Sequence, residues 1–200
     1  MRRKWRCFFI LKMELPVDRA MCAQKTIIKR NMIIMVTGGQ RSGKSLFAEN
    51  LALSLSDRPV YLATAQVCDD DFRYRVDVHQ ARRGPQWTTI EEPLHVDEAG
   101  VKDGDVVVFD CLTLWATNWF FQSGEDVDAA LAEMRPRLDS LFASGATIVF
   151  VTNEIGLGGI SENALQRRFT DLQGAINQYV ASRADEVHLI VSGIDVRIKP

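Results

Sequence analysis

Cysteine is scarce in this 200-residue chain, and Cys7, Cys22, Cys68 and Cys111 form no C-x-x-C pair. That spacing excludes a disulfide framework or a zinc site and leaves reduced thiols of the cytosolic kind. No apolar run approaches the roughly 20 residues of a membrane-crossing helix, so no span is expected. Internal repeats, low-complexity tracts and a second domain are also missing, and the length suits one sizeable core. Basic charge is lacking where nucleic acid would need it. Residues 32–200 hold 15 Lys/Arg against 24 Asp/Glu, a net of −9, which gives no footprint for nucleic-acid binding. An N-K-x-D motif and a long partner-binding insertion are absent as well. Both absences argue against a nucleotide-driven switch or adaptor.

The missing positive charge is concentrated at the start. Residues 1–31 carry nine Lys/Arg against Glu14 and Asp18. Arg2, Arg3, Lys4 and Arg6 before Cys7-Phe8-Phe9-Ile10-Leu11 look like the outset of a secretory signal, but Lys12 and Glu14 interrupt the apolar run. The expectation is an extension over 1–31 that is poorly ordered or dispensable, followed by one catalytic domain over 32–200.

That domain is organised around Gly38-Gly39-Gln40-Arg41-Ser42-Gly43-Lys44-Ser45, a match to G-x-x-x-x-G-K-[ST]. The apolar run Met32-Ile33-Ile34-Met35-Val36-Thr37 precedes it as a strand, and Leu46-Phe47-Ala48-Glu49-Asn50-Leu51-Ala52 follows as a helix. Glycines let several N–H groups turn inward, and a helix N-terminus adds positive potential for a polyphosphate. Lys44 would reach the β- and γ-phosphates, and the Ser45 hydroxyl would ligate magnesium. The pattern predicts nucleoside triphosphate binding.

Downstream, the residues predict strands at 60–64, 106–110, 147–152 and 187–191, with helices over 69–83, 126–143 (despite Pro136) and about Leu165 to Val180. Apolar strands alternating with helices imply an α/β fold, a mainly parallel sheet with helices on both faces. Ligands of such sheets lie beyond the strand carboxyl ends, which gathers Gly38, Thr64, Asp110 and Asn153 around one crevice. Asp110 ends its strand where an acid would share magnesium with Ser45. On a helix over 69–83, Arg75, Arg82 and Arg83 would flank His79. Their charge would keep the imidazole neutral, suited to attack on an α-phosphate, and would clamp a triphosphate. His95 and His188 have no such setting, and His188 reads as structural. The loop Gly156-Leu157-Gly158-Gly159 after Asn153-Glu154 reads either as a turn or as the wall of a site for a bulky acceptor. Trp115, Trp119, Phe120 and Phe121 could line a pocket, but such a cluster reads more simply as core or subunit contact.

From Met32 to Lys199 the chain resembles the bifunctional adenosylcobinamide kinase/adenosylcobinamide-phosphate guanylyltransferases of cobalamin biosynthesis. The resemblance rests on 36–45, 61–65, Arg75 through His79 to Arg83 with Trp87, Asp110-Cys111-Leu112-Thr113 with Asn118, 151–156, 163–177 and 184–194. It implies a RecA-type P-loop core, ATP or GTP as phosphoryl donor, magnesium, and commonly a cytoplasmic homotrimer. It further implies GMP transfer through a histidine matched by His79, with adenosylcobinamide and its phosphate as acceptors. By the same matching Gly38 to Ser45, Ala63, Thr64, Ala65, Gln80, Ala81, Arg82, Arg83, Glu91 and Asp110 would contact GTP, with Lys44 as catalytic clamp. Ser161 departs from the proline of many relatives, and Asp110 from the glutamate of some. The alternative is a one-step small-molecule kinase with no covalent intermediate.

Overall fold

A computed structural model describes residues 31–66, 80 and 83–200. The expected extension (apart from Asn31) and most of the expected 69–83 helix, with the site candidates Arg75, His79, Ala81 and Arg82, lie outside the described residues.

The core strands are β1 (Ile33–Thr37), β2 (Val60–Ala63), β4 (Val106–Asp110) and β5 (Thr147–Val151). Their β-branched and aromatic runs are buried on both faces, as a covered parallel sheet demands. β3 (Thr88–Glu91), β6 (Glu186–Val191) and β7 (Ile194–Lys199) complete a seven-stranded sheet in the order β3-β2-β4-β5-β1-β6-β7. All neighbours are parallel except β6 and β7. Strand alternation divides the core. Ile34, Val36, Val108 and Val149 pack with Ala48 and Ala52 of α1 (Lys44–Leu55) on one face. Ile33, Met35, Phe109 and Phe150 turn to the other, under α2 (Leu112–Gln122), α3 (Val127–Ala143) and α4 (Ala164–Arg183).

The helices start where local chemistry says they should. Asp126 accepts from Ala129 N–H at 2.9 Å to cap α3, and Asn163 accepts from Leu165 N–H at 2.8 Å to cap α4. Pro136 does stand inside α3; the fully buried Met134 and Leu138 on either side of it anchor the helix to the core.

Two features add to the sequence-based expectation. Five strands were expected and seven form, because β3 and β7 occupy the two edges of the sheet. β3 offers only Ile90 as an apolar residue. β7 alternates Ile194, Val196 and Ile198 with polar residues, a period-2 signal at the end of the chain. The 112–122 stretch, given no element from the sequence, is a helix in which Thr113, Thr117, Asn118 and Gln122 break an otherwise apolar run. Trp115, Trp119 and Phe120 are buried core, with both indole N–H groups donating to Leu94 O, whereas Phe121 is exposed. His188 lies 2.9 Å (Nδ1) from Asp195 Oδ1 and packs on Phe47, consistent with a structural role.

Candidate functional site

Parallel β1, β2, β4 and β5 all end on one side of the sheet, and the glycine loop leaves β1 there. The loop needs unusual backbone: φ is +147° at Gly38, +58° at Arg41 and +103° at Gly43. At Gly38 a Cβ would stand 2.4 Å from the Ile190 carbonyl oxygen of β6. Only glycine lets the loop pass that close. The β6–β7 turn holds it from the same side, with Gly193 N–H donating to Ser42 O at 2.8 Å.

The helix that follows is left open at its start. Side chains of Cys111, Asp126 and Asn163 cap α2, α3 and α4, but Gly43 gives α1 no side-chain acceptor. Its first-turn N–H groups therefore keep hydrogen-bonding capacity for an anion. Lys44 is buried, and its Nζ donates to Gly39 O at 2.6 Å. Burial lowers its pKa from the ordinary value, and the charges of Cys111 and Asp110 oppose that shift. A buried ammonium held by a carbonyl of its own loop is ready to exchange that contact for a phosphate.

Ala63, Glu91 and Asp110 stand in register across β3, β2 and β4, so the strands themselves align three of the expected nucleotide contacts. Thr64 ties β2 to β4: its hydroxyl donates to Cys111 O and accepts from Cys111 N–H, each at 2.9 Å. Asn118 of α2 donates to Thr64 O at 2.8 Å and fixes this edge from the other side. Ala65 follows directly in the chain. Asp110 Oδ2 accepts from the Tyr61 hydroxyl at 2.6 Å. Burial, reinforced by that carboxylate, pushes the phenol far above its usual pKa, so it stays a proton donor.

The guanidinium of Arg83 lies 3.6 Å above the Tyr61 ring, a cation–π contact strengthened by desolvation. Its Nε and Nη1 are buried and have no hydrogen-bond acceptor among the described residues. Gln80 Nε2 donates to Glu91 Oε1 at 3.1 Å. With Trp87 these residues line a pocket of about 360 Å³ at the β2–β3 edge. The structure thus joins Lys44, Asp110, Tyr61 and Arg83 in one run of contacts and charge, with Gln80 and Glu91 beside it. Gln40 and Arg41 are exposed at the loop tip. Tyr61 was missed in sequence, because a tyrosine within an apolar strand reads as core.

Magnesium takes few protein ligands, all oxygens, and completes its shell with phosphates and water. The half-buried Ser45 hydroxyl has no hydrogen bond among the described residues, and Asp110 retains a second carboxylate oxygen. Those donors fit a hard cation. No cluster of three or more His, Cys, Asp or Glu occurs among the described residues, so a metal held wholly by such side chains does not arise there.

Residues 34–198 match the family model described as cobinamide kinase / cobinamide phosphate guanyltransferase. The bifunctional adenosylcobalamin biosynthesis protein CobU of Escherichia coli (strain K12) is 40% identical over 182 residues, 84% of this chain and 100% of that protein. The protein of the same name from Salmonella typhimurium is 40% identical over 184 residues, with the same coverage. CobP of Pseudomonas aeruginosa, with the same bifunctional description, is 36% identical over 82% of this chain and 96% of its own length. Among solved structures, the RadB recombinase aligns with a TM-score of 0.48 at 14% identity, over 80% of this chain and 74% of that one.

The close approach at Gly38 makes a specific prediction. Gly38→Ala forces the loop away from Ile190, and GTP affinity measured by titration should fall by at least ~10-fold, about 1.4 kcal/mol. The far-ultraviolet circular dichroism should stay that of the wild type; unchanged affinity would mean that the loop yields without losing its function.

Proposed function

The chain belongs to the cobinamide kinase / cobinamide phosphate guanyltransferase family, and from that premise we propose how its residues divide the two reactions. The enzyme phosphorylates adenosylcobinamide and then converts the phosphate to adenosylcobinamide-GDP, a step of cobalamin biosynthesis. In the first reaction ATP or GTP lies on Gly38, Gly39, Gln40, Arg41, Ser42, Gly43, Lys44 and Ser45, with its γ-phosphate beside Lys44. The acceptor hydroxyl forms a bond to γ-phosphorus, and the nucleoside diphosphate leaves. In the second, His79 attacks the α-phosphorus of GTP and pyrophosphate leaves. A phosphate oxygen of the phosphorylated acceptor then displaces the imidazole and takes the GMP.

The observation that carries this reading is the run of contacts and charge from Lys44 through Asp110 and Tyr61 to Arg83. It extends from the phosphate loop to the segment in which His79 stands one residue before Gln80. On this reading one triphosphate site would have Lys44 as the cation for the γ-phosphate and Arg83, four residues after His79 in sequence, as a second cation. Such fixed charges stabilise charge that develops in either transfer. Ser45 and Asp110 would hold magnesium, which supplies charge neutralisation on the phosphates. Gln80, Glu91, Ala63, Thr64, Ala65, Ala81, Arg82 and Arg83 would hold the nucleotide. The pocket lined by Trp87, Gln80 and Glu91 offers a ring face, an amide and a carboxylate to a guanine.

We also infer a cytoplasmic enzyme that works as a homotrimer. Among the described residues no helix is long and apolar enough to cross a membrane. Ile194, Val196 and Ile198 are all exposed along β7, an apolar edge that supports subunit association.

Two measurements test these readings. With magnesium and α-³²P-GTP, wild type should acquire acid-labile label on a denaturing gel and His79→Ala should acquire none. A folded, GTP-binding wild type that takes no label would leave the one-step kinase as the better reading. Light scattering should give three times the 22.5 kDa chain mass, and a monomer at working concentration would contradict the trimer.

A further inference from the structure

We propose that Glu154 is the catalytic base of the kinase step: it takes the proton of the acceptor hydroxyl as that oxygen bonds to the γ-phosphorus. The inference rests on the kinase reading above and adds the base that neither the phosphate loop nor His79 provides. Three features of its setting carry it.

The first is position. β5 lies between β1, which feeds the phosphate loop, and β4, which ends in Asp110. Glu154 stands three residues beyond β5, so it occupies the sheet edge between the phosphate clamp and the metal-binding acid. Its backbone N–H donates to Gly38 O at 3.2 Å, which ties it to the first residue of the loop.

The second is the way the carboxylate is held. Oε1 accepts from Asn177 Nδ2 at 3.0 Å and, more weakly, from the Thr37 hydroxyl at 3.4 Å. Asn177 is itself fixed. Its Oδ1 accepts from Thr152 Oγ1 at 2.7 Å and from Gln173 Nε2 at 2.8 Å, and its Nδ2 also donates to Asn153 O at 3.1 Å. Gln173 and Asn177 are buried on one face of α4, where polar side chains are costly unless satisfied by one another. All these anchors are uncharged and converge on Oε1. Among the described residues Oε2 receives no hydrogen bond and no Arg or Lys pairs with the carboxylate. The group is thus oriented without being neutralised, with one oxygen left for a proton. Asp110 has no such freedom, because Tyr61 donates to it and its second oxygen suits the metal.

The third is the adjoining surface. The chain leaves Glu154 through a short turn, Gly156–Gly158, that exposes Leu157 (79%) and Ile160 (91%). Apolar side chains this open beside a carboxylate suit an acceptor whose hydroxyl is carried on a bulky, partly apolar body. In the reaction the O–H proton passes to Oε2 and the oxygen–γ-phosphorus bond forms. The bond from γ-phosphorus to the β–γ bridging oxygen breaks, with its electron pair leaving on the diphosphate. The carboxyl group then returns the proton to water.

The test is Glu154→Gln, which keeps an oxygen for Asn177 and Thr37 but cannot take the proton. Three rates are read on the full-length enzyme: phosphorylation of adenosylcobinamide from γ-³²P-ATP, GMP labelling from α-³²P-GTP, and GMP transfer to preformed adenosylcobinamide phosphate. The kinase kcat should fall by at least ~100-fold, with KM for both kinase substrates unchanged and both GMP reactions retained. Glu154→Asp should recover part of the lost kcat. Wild-type kcat in Glu154→Gln would overturn the proposal. So would a parallel loss of all three reactions, since that would mark Glu154 as a support of the loop. Absence of phosphorylation by wild type itself would instead reject the kinase reading.

Discussion

Everything in this fold depends on a glycine-rich loop being held still, with Lys44 as its one internal side-chain tie to a loop carbonyl and the neighbouring strands supplying the rest. The loop is glycine-rich because its backbone must face a ligand, and that same composition leaves it with little to pack. The surrounding strands supply the rigidity. β6 presses the Ile190 carbonyl against Gly38, the β6–β7 turn bonds Ser42, and the segment after β5 bonds Gly38 from the other side. These clamps are backbone groups of the sheet and its connections, so the loop's geometry is a consequence of strand order. The antiparallel β7 has a role here that a purely parallel sheet would lack: it brings the turn at Gly193 back onto the loop.

On that frame the site works by burying charges in sequence. Lys44 is desolvated beside Asp110, Asp110 is bonded by Tyr61, and Tyr61 carries Arg83 on its ring. Each group lies in an environment less polar than water, where a fixed charge acts more strongly on a phosphate than it would at the surface. Burial disfavours the charged form of Lys44, and a triphosphate bound as proposed would relieve that cost. On the proposed reading, this single row of groups would serve a substrate that must be attacked at its γ-phosphorus in one reaction and its α-phosphorus in the other.

How much of this could be read from residues alone differs from element to element. β1, the loop and α1 were legible because strand, glycine pattern and helix stand in uninterrupted order. β4 and β5 announced themselves as apolar runs of a length that suits strands. β3 did not, since Thr88-Thr89-Ile90-Glu91 is an edge strand with one apolar residue and takes its shape from pairing with β2. α2 was passed over because its aromatic cluster, Trp115, Trp119, Phe120 and Phe121, drew attention as side chains and not as a helical face. Within the site, Lys44 and Asp110 were legible from position. The coupling of Tyr61 to Asp110 was not, because it joins residues 49 positions apart. The amides on α4 that orient Glu154 were equally illegible: nothing in the sequence marks Gln173 and Asn177 as polar residues that α4 turns inward. His79 was singled out from its arginine neighbours and lies outside the described residues, so its part in the account rests on residue chemistry and family membership.

The central claim is that one phosphate loop serves two successive transfers to one acceptor, and the product's own phosphorus atoms test it most directly. Adenosylcobinamide would be incubated with a mixture of GTP labelled with ³³P at the γ position and GTP labelled with ³²P at the α position, and the cobinamide product isolated. The account predicts a product that carries both labels in equal amounts, corrected for specific activity, one phosphate from each transfer; Lys44→Ala should yield neither. A product bearing only the γ-derived label would contradict it and show a loop that serves phosphorylation alone.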